Sequence, residues 1–107
     1  MQTPQDVIAA WSARAMANAA KVAKLEATYK FIIGGKGGGS WLLRCRSPVS
    51  MEKGEGPADC TISMDAADFV ALGNGELNPQ MAFMSGRLNV EGDLELALRL
   101  SEIVEES

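Results

Sequence analysis

The sequence predicts a two-layer α/β domain of the α+β kind. It should hold a five-stranded, largely antiparallel or mixed sheet, wet on one face and covered by helices on the other. Three observations carry this expectation. Five short stretches alternate apolar with charged or hydroxylated residues at a period of two, which a sheet buried on both faces would not do. Other stretches place apolar residues at helical spacing behind capping residues. The length, 107 residues, fits one domain spanning 1–107. A chain of that size buries roughly two thirds of its unfolded surface, enough for one core.

The elements follow in order. Thr3 reads as a helix cap, Pro4 suits a first turn, and Asp6 meets the positive end of the helix dipole. Val7, Ile8, Trp11 and Ala15 then fall at helical spacing, in a helix that either runs to about Lys24 or breaks near Asn18 and restarts. From Ala27 the period becomes two. Tyr29, Phe31 and Ile33 share one face of a first strand; Trp41, Leu43 and Cys45 share that of a second. Val49 and Met51 mark the third strand, Cys60, Ile62 and Met64 the fourth, Leu88 and Val90 the fifth. Asp65 to Asp68 reads as a capping sequence before Phe69, Val70 and Leu72, with Gly73 as the stop. Asn78-Pro79 opens a short helix that Gly86 closes, and Asp93 opens the last one, Leu94 to about Glu105.

Composition narrows the function. Apolar residues are 47% and charged residues 22%, an ordinary globular mix, and the net charge of −4 does not suit nucleic acid or an anionic membrane. No apolar run is long enough to span a bilayer, and no basic flank precedes Val7-Ile8 as a signal peptide would require. Cys45 and Cys60 lie in strand-like runs, as buried free thiols of a reducing compartment would.

The glycine run Gly34–Ser40 lacks the spacing of a phosphate loop and leads into a strand, so it reads as a hairpin turn. The chain has no histidine, and two cysteines alone make no zinc set. Asp65 and Asp68 are explained as caps. Lys30, Arg44 and Arg46 fall on the outer sheet face, where solvated charge is the ordinary reading. No catalytic set, metal or cofactor is expected, and the chain does not read as an enzyme.

The last helix carries more apolar surface than one sheet contact needs. Glu95, Arg99, Glu102 and Glu106 form a narrow polar stripe, and apolar residues from Leu94 to Val104 cover most of the rest. The 79–85 helix repeats the pattern, with Met81 and Met84 on one face and Phe83 pointing elsewhere. Methionine suits a surface that must adapt to variable apolar shapes. Plain core, a dimer interface or the wall of a ligand space would each absorb such an excess.

Residues 58–100, ADCTISMDAADFVALGNGELNPQMAFMSGRLNVEGDLELALRL, resemble the sterol carrier protein type two family, as does YKFIIGGKGGGSWLL at 29–43. The matching elements are the Asp65–Leu72 helix, Gly75, Asn78-Pro79, Ala82-Phe83 with Gly86, and the LNVEGD strand and turn. The resemblance implies five strands with helices on one face and an apolar tunnel between the layers. By position, the lining would include Trp41, Phe69, Leu72, Met81, Phe83 and Met84. Leu88, Val90, Leu96, Leu98, Leu100 and Val104 would complete it. The implied function is non-catalytic lipid binding and transfer, with a fatty acid, fatty acyl-CoA, sterol or related ligand. The other reading is an accessory module that docks on a partner, such as a lipid- or prenyl-quinone-metabolising enzyme. Expected partners are an apolar small molecule (lipid, acyl-CoA, sterol or quinone) and a transiently touched membrane, not nucleic acid. The chain is expected as a monomer or weak dimer. Peroxisomal family members end in a targeting tripeptide that Glu105-Glu106-Ser107 does not match, so a cytoplasmic location is expected.

Overall fold

A computed structural model describes residues 3–105, apart from the side chains of Pro79 and of residues 100–105. Among the described residues, the chain forms α1 (Pro4–Ala17), α2 (Ala19–Ala23), β1 (Ala27–Gly34), β2 (Gly39–Cys45) and β3 (Ser50–Lys53). β4 (Cys60–Asp65), α3 (Ala66–Gly73), α4 (Pro79–Met84), β5 (Leu88–Gly92) and α5 (Leu94–Glu105) follow. The strands make one mixed sheet in the order β3-β2-β1-β4-β5. β1 pairs antiparallel with β2 and parallel with β4, and the outer pairs β2–β3 and β4–β5 are antiparallel.

The helix ends obey local chemistry, with one departure from expectation. Thr3 and Asp6 form a reciprocal capping box, in which Asp6 accepts from the Thr3 backbone N–H at 2.9 Å. These bonds hold the Asp6 carboxyl below its usual range. The first helix breaks at Asn18, whose side chain donates to the Arg14 carbonyl at 2.9 Å. Asp65 occupies the cap position of α3, but its side chain accepts no capping hydrogen bond. Gly73 is the last residue of α3, with Asn74 as its C-cap, and the left-handed turn follows at Gly75, where φ is +79° and the Glu76 N–H returns to the Ala71 carbonyl at 2.9 Å. Gly73 also serves close packing: a Cβ there would lie 2.6 Å from Val7 Cγ2 on α1. α4 ends the same way as α3, with Gly86 at φ +80° and the Arg87 N–H bonded to Ala82 O at 2.9 Å.

The β1–β2 turn uses glycine where the backbone demands it, with φ of +88° at Gly35 and +80° at Gly37. The sheet is one-sided, as its alternation predicts. Ala27, Tyr29, Phe31 and Ile33 point inward beside Cys45, Leu43 and Trp41, and all are buried. The exception on the outer face is Leu42, buried at 3%, because the segment after β3 folds back over it; a Cβ on Gly56 would sit 3.2 Å from its Cδ1. Helices α1, α3 and α5 lie over the inner face, so the core sits between the two layers.

Candidate functional site

The layers do not close equally along the sheet. Over the centre, Trp11 of α1, Phe31 of β1 and Phe69 of α3 interlock, with ring centroids 5.0 Å apart for Trp11–Phe69 and 5.7 Å for Trp11–Phe31. Edge-to-face contacts of this kind are filled core. At the β5 edge the cover thins. Ile62 on β4 and Val90 on β5 are directly opposite each other and share the inner face. Ile62 is 5% exposed, whereas Val90 is only half-buried. Leu88, one inward position earlier, is buried beside Met64.

Helices α4 and α5 border this edge, both in contact with β5. Asn78 starts α4 by accepting from the Gln80 and Met81 N–H groups at 2.8 and 3.4 Å. Asp93 starts α5 by accepting from the Glu95 N–H at 2.9 Å. The Tyr29 hydroxyl anchors α5 from below, donating to the Leu96 carbonyl at 2.6 Å. Burial pushes the Tyr29 phenol well above its ordinary pKa, so it stays a donor. Among the described side chains of α4, Ala82 turns inward; Met81, Phe83 and Met84 are 67%, 46% and 78% exposed. On α5, Leu96 and Ala97 pack half-buried against the core while Leu94 and Leu98 are 53% and 65% exposed. The charged pair of this helix, Arg99 and Glu95, is satisfied within itself at 3.1 Å. The result is a β5 edge where half-buried Val90 lies beside the buried Ile62 and Leu88, next to two helices that carry exposed apolar side chains. Such a surface can hold a flexible hydrocarbon and leave a polar head in water.

Of the expected lining residues, Leu88, Val90 and Leu96 come together here. Met81, Phe83, Met84 and Leu98 stand on the bordering helices, more exposed than a closed wall would leave them. Leu72 is half-buried on α3. Phe69 is fully enclosed by the aromatic cluster, and Trp41 lies on β2, three strand spacings or about 14 Å from β5. The side chains of Leu100 and Val104 lie outside what the structure describes. Ile62, on the strand beside Val90, and Leu77 and Ala97, packed against the core, fall outside the expected lining set. Leu77 carries a signal, an apolar residue immediately before the Asn78 cap, where a hydrophobic staple is expected. Period-two alternation marks Ile62 as an inward residue of β4, but its place beside β5 is not written in either strand.

No group of three or more His, Cys, Asp or Glu that could hold a metal occurs among the described residues. No helix among them is long and apolar enough to cross a membrane.

The model of the SCP-2 sterol transfer family matches residues 8–105. Hydroxysteroid dehydrogenase-like protein 2 of Xenopus laevis is 38% identical over 90 residues, covering 81% of this chain and 22% of that protein. The chain thus spans about a fifth of the length of the curated relatives it matches. Sterol Carrier Protein 2 of Yarrowia lipolytica, in its apo form, superposes with a TM-score of 0.74 at 28% identity, covering 94% of this chain and 85% of that one. The fold is shared with Sterol Carrier Protein-2 of Aedes aegypti in complex with C16 fatty acid (palmitate). That superposition has a TM-score of 0.72 at 21% identity and covers 97% of this chain and 96% of the other.

Proposed function

The chain belongs to the SCP-2 sterol transfer family, and from that premise we propose that residues 1–107 act as one non-catalytic domain that binds and transfers an apolar, chain-like lipid. The observation that carries the proposal is the half-buried Val90 at the β5 edge next to the exposed Met81, Phe83, Met84, Leu94 and Leu98 of α4 and α5; the proposed lipid trough runs along this edge. Palmitate in the Aedes aegypti relative supports the choice of a fatty acid or fatty acyl-CoA as ligand class. Val90, Leu88 and Leu96 would contact the chain; Met81, Phe83, Met84 and Leu98 would fold over it, the methionines adapting to its shape.

The energetics suffice. Each buried CH₂ contributes about 0.8 kcal/mol, so a 16-carbon chain gains roughly 12 kcal/mol gross. Ordering and association remove several of these, leaving about −8 kcal/mol, a micromolar Kd. Release to a membrane then needs only brief contact, since an affinity of that order permits fast exchange. A thermal-shift panel of palmitate, palmitoyl-CoA, a sterol and a prenyl-quinone tests the reading. A ligand at about 100 times its Kd adds roughly 2.7 kcal/mol of stability. A panel that moves no midpoint ends the proposal.

A second reading is favoured by the share of the longer relatives that this chain spans. In it the exposed α4 and α5 side chains dock on another protein or domain, and no lipid enters. Native mass spectrometry separates the two: a lipid-loaded monomer supports the carrier, a lipid-free dimer the docking module.

A further inference from the structure

Among the described residues the sulfur-bearing side chains range from fully buried to largely exposed, with Met16 of α1 between the extremes at 47%. Cys45 and Cys60 are fully buried free thiols whose burial raises their pKa, so neither offers a thiolate to an oxidant. Met64 is buried at 6% and Met51 is half-buried. Met81 and Met84, by contrast, are 67% and 78% exposed. They stand three residues apart on α4, so both thioethers share one face. That helix is fixed at both ends, by the Asn78 cap and by the Gly86 turn, with Ala82 as its buried foot. Two exposed thioethers are therefore held on a helix that touches β5, beside the proposed lipid trough.

We propose that Met81 and Met84 form a reversible oxidation site at which a peroxide weakens lipid binding. The inference rests on the lipid-binding reading above. Each thioether sulfur attacks one peroxide oxygen; the O–O bond breaks, sulfur gives up two electrons and gains that oxygen, and water leaves when the oxidant is hydrogen peroxide. The product is a sulfoxide, polar where the thioether was apolar; a sulfoxide reductase restores it with two electrons and two protons from a dithiol, which becomes a disulfide as the oxygen leaves as water. A lipid chain that closes on α4 would then have to strip water from one or two sulfoxide oxygens that have no partner in the trough. Folding is little affected, because neither side chain is part of the buried core.

The test uses the whole chain, hydrogen peroxide as oxidant and palmitate as the probe. Peptide mass mapping should find Met81 and Met84 oxidised before Met51 and Met64. The oxidised protein should keep its circular dichroism spectrum and bind palmitate roughly tenfold more weakly. Methionine sulfoxide reductases A and B together, supplied with dithiothreitol as reductant, should restore the affinity. A Met81→Leu/Met84→Leu variant, compared with its own untreated affinity, should lose nothing on the same treatment, although Met16 on α1 remains 47% exposed in it. Untreated protein that takes up no palmitate removes the lipid-binding premise and this inference with it. Untreated protein that binds, with an oxidised form that binds equally well or a leucine variant that weakens as much as the parent, overturns the oxidation site alone. Loss of the folded spectrum on oxidation also overturns it.

Discussion

The Tyr29 hydroxyl donates a 2.6 Å hydrogen bond to the Leu96 carbonyl oxygen, tying the central strand to the first turn of α5 across 67 positions of sequence. Tyr29 is 0% exposed, and this bond is what satisfies its one polar atom. It also holds the N-terminal end of the helix beside the proposed trough. Tyr29→Phe removes the donor and keeps the ring. The expected cost is about 1 kcal/mol, a midpoint fall of roughly 4–8 °C. Hydrogen exchange in α5 should rise more than in α1. Equal protection of α5 in both proteins would show that the bond does not anchor it.

Gly73→Ala should be costly for a packing reason. The new Cβ would meet Val7 Cγ2 at 2.6 Å and Cγ1 at 2.7 Å, and Val7 is 0% exposed on α1. The backbone of Gly73 is helical, so no conformational penalty contributes. About 1–3 kcal/mol of destabilisation is expected. Combined with Val7→Ala, which removes the clashing methyls, the two changes should cost clearly less than their sum in urea melts. Strict additivity would place the α1–α3 contact elsewhere.

Val90→Asp puts a charge on the thinly covered edge of the inner face. Palmitate affinity should fall about tenfold or more, with a stability loss smaller than Ile62→Asp would cause, because Ile62 is 5% exposed. Ile32→Asp is the control: Ile32 is on the outer face of β1 and 38% exposed, so lipid affinity should hold. Isothermal titration of the two variants decides the matter. Loss of binding in both, or in neither, would mean that the trough is not where the chain lies.

Burial pushes the Cys45 thiol up to about 12 and, with help from Asp93 and Asp59, the Cys60 thiol up to about 11, from an ordinary 9.0. Tyr29 moves in the same direction from 10.0. The native state therefore keeps these protons at a pH where the unfolded chain releases them. Their contribution to stability is complete below about pH 9 and is lost as pH rises toward about 12. Urea midpoints should be level between about pH 7 and 8.5 and decline above that; a rise across the alkaline range would contradict the burial of all three groups.

Phe83→Ala isolates one bordering side chain. Phe83 is 46% exposed, so the truncation should destabilise by less than the 3–5 kcal/mol typical of a buried Phe. Palmitate binding should weaken nonetheless. An unchanged affinity in the folded variant would remove Phe83 from the contact surface.

Local signals fixed the elements and their faces. Period-two alternation named the inward residues of β1, β2, β4 and β5, and Thr3, Asn78, Asp93 and Gly86 marked helix ends that the backbone confirms with hydrogen bonds. These signals act within a few residues, so they are written in the chain. What lies beside what is not. The parallel pairing of β1 with β4, and hence β5 at the edge, depends on contacts between distant segments. So do the role of Gly73 against Val7, the covering of Leu42 by the segment near Gly56, and the enclosure of Phe69 by Trp11 and Phe31. Sequence periodicity gave α5 its apolar surplus; only the folded chain divided it, with Leu96 and Ala97 against the core and Leu94 and Leu98 toward solvent. Periodicity counts apolar faces, whereas coverage depends on how far each neighbouring element reaches, and that distance exists only in three dimensions.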